Sequence, residues 1–217
     1  KWSGTSLPTI AIGQGVSVTP VQMLTAYATI ANRGLKPAPT LVRGMGDDVE
    51  VMKSTEKEQP ERIIESRTAE SLVKIIETVV ASGTGKRAQV PGYRVAGKTG
   101  TAWKPQIGGY GEEEADRRYI ATFAGFFPVE KPEIVALVVV DEPSAIADSG
   151  GKAAAPIFAE FAEFAARQLR IPSENEKLDS SLTERVLAIT PEQAQIINNI
   201  ADSKVVLSEE IAGSVVD

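Results

Sequence analysis

Seven successive apolar residues, Ile134-Val135-Ala136-Leu137-Val138-Val139-Val140, constrain the fold more than any other stretch. They show no polar alternation, as expected of a strand covered on both faces, so other structure must be layered above and below them. Upstream, Arg94 to Trp103 and Tyr119 to Phe127 read as two more strands, the second carrying Ile120, Phe123, Phe126 and Phe127. The loop from Lys104 to Arg118 and the turn from Pro128 to Pro132 are short enough for an antiparallel meander.

Helical patterns surround these strands, which places the chain in the α+β class, with an antiparallel sheet flanked by helices. Thr19-Pro20-Val21-Gln22 is a capping box, with Pro20 at the first helical position and Gly34 beyond the end. Ser66 to Ala81 is amphipathic: Ala69, Leu72, Val73, Ile76, Val79 and Val80 form one stripe, and Glu70, Lys74 and Glu77 lie outside it. After a small-residue connection from Ser144 to Gly151, Pro156, Ile157, Phe158, Phe161, Phe164, Ala165 and Leu169 mark a helix whose aromatic stripe is expected on the sheet. Lys1 to Ser17 reads as loop, and a strand or hairpin is expected near Thr40 to Met45 inside an exposed insertion. The expected division is a main body over residues 1–172 and a tail over 173–217 containing a short helix at about 191–201, opened by Thr190-Pro191-Glu192-Gln193.

Residue types narrow the chemistry. With no cysteine and no histidine in 217 residues, disulfides, Cys-based zinc sites, histidine metal sites and Ser-His-Asp triads are excluded within the chain. Acid–base work falls to lysine, carboxylates or tyrosine. A net charge of −6 argues against nucleic acid or anionic lipid as the main partner. No run of about 18 apolar residues is present to span a membrane.

The segment Arg94-Val95-Ala96-Gly97-Lys98-Thr99-Gly100-Thr101-Ala102 concentrates a cation, two hydroxyls and flexible backbone. On a strand, Thr99 and Thr101 share one face, where paired hydroxyls can grip a carboxylate, while Lys98 and Gly100 share the other. Gly97 and Gly100 remove bulk beside the lysine, which suits close approach by a ligand or another backbone. Taken alone, Lys98-Thr99-Gly100 is more simply an edge strand with a solvated lysine.

Three other motifs carry less. Gly83-Thr84-Gly85-Lys86 lacks the earlier glycine and the following Ser or Thr of a phosphate loop, since Val80 and Arg87 stand in those places. Ser71 with Lys74, and Ser54 with Lys57, have the spacing of a serine nucleophile and its lysine base. Neither sits beside small residues that would open a cleft, and both read as chance. Ser173-Glu174-Asn175 lies in a polar tail and has the same standing.

Taken together and in order, several blocks closely resemble the C-terminal half of class B penicillin-binding proteins. They are Gly13-Gln14-Gly15, Thr19-Pro20-Val21-Gln22, Ala31-Asn32-Arg33-Gly34, Gly83-Thr84-Gly85, Pro91-Gly92-Tyr93, Val95 to Ala102, Phe123 to Pro128 and Ala154 to Phe158. The resemblance runs over roughly residues 2–171, and Lys1-Trp2-Ser3-Gly4 is most similar to actinobacterial division-type members. It implies part of a penicillin-binding protein and serine β-lactamase-like transpeptidase fold. It also implies a D,D-transpeptidase that cross-links peptidoglycan stem peptides by serine acyl transfer, serves cell wall synthesis in division or cell shape, and is acylated by β-lactams.

Members of this group carry Ser-x-x-Lys, Ser-x-Asn and Lys-Thr-Gly motifs. The resemblance implies Lys98 as the cationic catalytic member, Thr99 and Thr101 as ligands of the substrate carboxylate, and Gly100 as the space along which substrate lies. The backbone N–H of Thr101 would supply one oxyanion-hole donor. It implies no cofactor and no metal, and places the complete protein at the extracytoplasmic face of a bacterial membrane, anchored through a segment outside this chain. Its expected partners are stem peptides, β-lactam antibiotics, the N-terminal remainder of the protein, and other division or envelope proteins.

The sequence departs from the family in one respect. The nucleophilic Ser-x-x-Lys and the Ser-x-Asn motif belong before the Gly13-Gln14-Gly15 block, so the segment alone is expected to be inactive. A β-lactamase or β-lactam sensor on the same fold, and a noncatalytic envelope interaction module, are the alternatives.

Overall fold

The structure is a computed structural model that describes residues 3–11, 13, 16–39, 60–107, 109, 117–143 and 148–176. The chain divides into two units, Lys1–Ile171 and Pro172–Asp217. The expected strand near Thr40 to Met45 and the helix at about 191–201 lie outside the described residues.

In chain order the first unit contains α1 (Ser6–Ala11), α2 (Pro20–Ala31), β1 (Leu35–Lys36), β2 (Glu61–Arg62) and α3 (Ser66–Ala81). A 3-10 turn at Lys86–Ala88 follows, then β3 (Ala96–Trp103), β4 (Tyr119–Phe127), β5 (Ile134–Asp141) and α4 (Gly150–Leu169). β3, β4 and β5 form an antiparallel sheet in that order, and β1 pairs separately with β2. The architecture is α+β, as expected from the sequence.

Local signals account for several boundaries. At the start of α2, the Gln22 N–H donates to Thr19 Oγ1 at 3.2 Å and the Thr19 N–H donates to Gln22 Oε1 at 2.8 Å, so two otherwise orphaned donors are satisfied. Gly34, at φ +86°, then turns the chain in a conformation that a side chain resists. The opening is not all loop: Ser6–Ala11 forms one exposed helical stretch. Ser3 accounts for it, since its carbonyl accepts from the Ser6 N–H at 3.1 Å and its own N–H donates to Ser6 Oγ at 2.8 Å.

The sheet register sets what faces the core. Phe123 pairs with Thr99 on β3 and Val138 on β5, so these three share a face. Phe123, Phe127 and Phe158 of α4 are fully buried there, with the Phe123 and Phe158 ring centroids 4.7 Å apart. Burying one such ring contributes about 1.5–3 kcal/mol. Phe126 is buried on the opposite face. Helix α2 packs against β4 and β5 but takes no part in the cluster around Phe158, which leaves it the Phe126 side.

Two expectations need correction. The apolar run in β5 is half-buried rather than enclosed, with Val139 49% exposed, because β5 is an edge strand among the described residues. In α4, moreover, the aromatic stripe does not lie on the sheet. Phe158 does, together with Ala154, Ala155, Ala162, Ala165 and Ala166, whereas Ile157, Phe161 and Phe164 are 47%, 44% and 55% exposed. α4 also starts at Gly150, six residues before Pro156, which sits inside the helix. An interior proline costs a helix about 3 kcal/mol, and burial of Ala154, Ala155 and Phe158 on either side of it offsets that cost.

Candidate functional site

β3 is an edge strand among the described strands, with β4 on one side only. Its alternation places Thr99 and Thr101 toward α4 and Lys98 and Gly100 toward the other face. Thr99 shares a hydroxyl hydrogen bond of 2.9 Å with Thr84, in the turn after α3. Thr101 Oγ1 accepts the Gly150 backbone N–H at 3.1 Å, at the first turn of α4. The two hydroxyls are thereby tied to two other elements, so their positions do not depend on β3 alone.

Glycines make this convergence possible. A Cβ on Gly150 would meet the Gly100 backbone and the Thr122 carbonyl, and one on Gly151 would lie 2.6 Å from the Thr84 carbonyl. A Cβ on Gly97 would collide with the Phe123 ring, and one on Gly100 with Thr122 Oγ1. The spaces at Gly97 and Gly100 are therefore taken up within the fold. The expectation that a ligand uses them is not needed to explain these residues.

Thr84, Lys86, Arg87, Thr99, Thr101 and Lys152 line a cleft of about 360 Å³ between β3, the turn after α3 and the start of α4. Lys152 pairs with Asp148 at 3.0 Å. Lys86 and Arg87 make no ion pair among the described residues. The cleft thus presents hydroxyls and uncompensated positive charge, a lining that favours an anion.

Lys98 is exposed, as the edge-strand reading expects, and is not among the residues that line this cleft. Its ammonium instead folds around the strand edge, donating to the Thr99 carbonyl at 2.8 Å and approaching Thr99 Oγ1 at 3.4 Å. That carbonyl points away from β4. Because backbone groups of antiparallel residues two apart point the same way, the N–H of Thr101 is directed to the same open edge.

Arg94 lies outside the cleft and anchors the approach to β3. Its guanidinium donates to both oxygens of Glu77 at 2.6 and 2.7 Å and to Glu130 at 2.8 Å. The hydrogen bonds to Glu77 raise its pKa further above the ordinary arginine value. At the far end of β3, Lys104 bridges Asp141 and Glu142, each at 2.7 Å. Arg117 stacks over the Trp103 ring, 4.4 Å from its centroid.

Of the residues singled out in sequence, Thr99 and Thr101 reach one cleft, Lys98 reaches Thr99, and Gly100 spaces the pair. Ser71 donates its hydroxyl back to the Arg67 carbonyl on the exposed side of α3 and takes no part in the cleft. Lys86, Arg87 and Lys152 were missed. The available signal was Gly83-Thr84-Gly85-Lys86, which fails as a phosphate loop but carries a cation and a hydroxyl into the cleft.

Residues 1–163 match the family model described as the penicillin binding protein transpeptidase domain. Among curated proteins, penicillin-binding protein PbpB of Mycolicibacterium smegmatis is 38% identical over 185 residues, covering 79% of this chain and 28% of that protein. Stage V sporulation protein D of Bacillus subtilis is 40% identical over 152 residues, covering 69% and 23%. The chain spans about a quarter of the length of these relatives. Among solved structures, the TP domain of penicillin-binding protein 3 from Burkholderia pseudomallei superposes with a TM-score of 0.65 at 34% identity, covering 79% of this chain and 49% of that one.

Proposed function

The chain belongs to the penicillin-binding protein transpeptidase family, and on that premise we propose that it forms the substrate-binding part of a peptidoglycan D,D-transpeptidase. The carrying observation is the pair Thr99 and Thr101, held by Thr84 and Gly150 on an open edge strand at the mouth of a cationic cleft.

In this reading a stem peptide lies along the free edge of β3. The hydroxyls of Thr99 and Thr101 donate to its terminal carboxylate, and the Lys98 ammonium adds positive potential at the same edge. A serine supplied by residues outside these 217 attacks the carbonyl of the penultimate D-Ala. The developing oxyanion is received by the outward N–H of Thr101 and by the nucleophile's own N–H. The C–N bond to the last D-Ala breaks, that residue leaves as the protonated amine, and the serine holds the acyl group. An amine from a neighbouring strand then takes the acyl group and returns a proton to the serine. A β-lactam, which also bears a carboxylate beside a strained amide, acylates the same serine and stops the cycle.

The test is fluorescent-penicillin labelling of the full-length protein. A Lys98→Ala variant is expected to label about a hundred- to a thousandfold more slowly, the range for removing one group aimed at transition-state charge. Labelling at the parent rate would remove Lys98 from the mechanism.

A further inference from the structure

The hydroxyl pair accounts for one carboxylate, and the cleft holds more positive charge than one carboxylate needs. Lys86 and Arg87 stand side by side on the 3-10 turn, both exposed, and both line the cleft that Thr99 and Thr101 enter. Among the described residues, neighbouring acids do not neutralise them. Asp148 is engaged by Lys152 at 3.0 Å. Glu77, which shares a second cavity with Lys86, has both oxygens occupied by Arg94 at 2.6 and 2.7 Å. Neither cation makes a hydrogen bond or ion pair through its side chain among the described residues. Two adjacent like charges left unpaired raise each other's energy, and a bound anion relieves it.

The turn that carries them is not free to swing away. Gly85 lies against Phe123 and the Val79 carbonyl, Ala88 is fully buried, and the Gln89 side chain donates to the carbonyls of Val80 and Ala81 at 3.1 Å each. The backbone between is therefore fixed at both ends, and the two cations are presented from a rigid base.

We propose that Arg87, assisted by Lys86, is a specificity determinant that binds a second carboxylate of the peptide whose terminal carboxylate sits at Thr99 and Thr101. The preferred substrate is a dianionic peptide rather than its mono-amidated counterpart. Arg87 leads because a guanidinium fork pairs with both oxygens of a carboxylate, whereas Lys86 contributes a point charge. The proposal rests on the transpeptidase reading above.

The experiment uses full-length protein and two synthetic peptides ending in D-Ala-D-Ala, one with a free carboxylate on an internal residue and one with that carboxylate amidated. The readout is the ratio of their kcat/KM values for release of D-Ala. The parent should favour the free carboxylate by about tenfold, the factor given by about 1.4 kcal/mol of charge-assisted pairing. The Lys86→Gln, Arg87→Gln double variant should bring that ratio close to one, through KM rather than kcat. Arg87→Lys, which keeps the charge but loses the fork, should retain only part of the preference, between the parent and the double variant. Raising salt from low to about 1 M should shrink the parent's ratio, since the Debye length falls to about 3 Å. A parent with no preference, or a double variant that keeps it, overturns the proposal while leaving the transpeptidase reading intact. Failure of the parent both to release D-Ala and to label with penicillin overturns both.

Discussion

Gly150→Ala tests the device that holds the site together. A Cβ there would lie 2.5 Å from the Gly100 carbonyl oxygen and 3.0 Å from its nitrogen, and would also collide with the Thr122 carbonyl. All three are backbone atoms of β3 and β4, which cannot yield as a side-chain end can. To reach ordinary contact, near 3.5 Å, the first turn of α4 must retreat by about 1 Å. The 3.1 Å hydrogen bond from the Gly150 N–H to Thr101 Oγ1 then stretches to about 4 Å and is lost. Overpacking of this kind costs about 1–3 kcal/mol and the hydrogen bond about 1 kcal/mol. Alanine's better helix propensity returns at most about 1 kcal/mol. The net loss is about 1–3 kcal/mol, which lowers the melting temperature by roughly 3–10 °C in a unit of this size. Thermal unfolding by circular dichroism measures it, with Gly4→Ala as control because nothing lies within 4 Å of a Cβ there. A Gly150→Ala protein as stable as the parent would refute the close approach of α4 to β3. It would also remove the reason given for the fixed position of the Thr101 hydroxyl.

The same hydroxyl can be removed directly. Thr101→Val keeps the shape but leaves the Gly150 N–H without its acceptor, so stability should fall by about 1 kcal/mol while penicillin labelling slows about tenfold or more. Thr101→Ser should restore both, and a valine variant that labels like the parent would exclude Thr101 as a carboxylate ligand. Away from the site, the carboxyl of Glu142 is held below the usual range by the hydrogen bond from Lys104 first and that from Arg118 second. Because the folded value is depressed, this linkage supports the fold fully above the ordinary carboxylate pKa of about 4.3 and fades as pH falls through the depressed value. A carbon-detected NMR titration should place Glu142 below that value in the parent and move it upward in Lys104→Gln; an unmoved titration would dismiss Lys104 as the main cause.

Strand positions were legible in the sequence because each run is bounded by turn residues and carries its own period. The run from Tyr119 to Phe127 matches β4 residue for residue, and the turn at Pro128 to Pro132 returns the chain to β5. The facing of α4 was not legible, and the reason is distance. Gly150 brings α4 against the backbone of β3, so only small side chains fit along most of the contact, and five alanines occupy it with Phe158. Hydrophobicity ranks Phe161 and Phe164 above those alanines, whereas the available space ranks them below. A pattern of apolar residues cannot express how closely a helix approaches its sheet.

The same limit explains what was seen and missed at the site. Thr99 and Thr101 could be paired on paper because strand alternation is a local rule, and the structure places both in one cleft. Arg87 lies twelve positions before Thr99, on a turn whose placement depends on α3 ending at Ala81 and on Gly85 packing against Phe123. Neither dependence is local. Alternation alone would also have set Lys98 apart from the threonines, on the far face of the strand. The edge changes that outcome: with no strand beyond β3 among those described, the long lysine side chain can curl over the unpaired backbone and bring its ammonium to the Thr99 carbonyl and hydroxyl. A strand paired on both sides would bury that carbonyl in a ladder and leave the lysine pointing away. The open edge is therefore what brings groups from both faces of one strand, the Lys98 ammonium and the Thr99 hydroxyl, to one place.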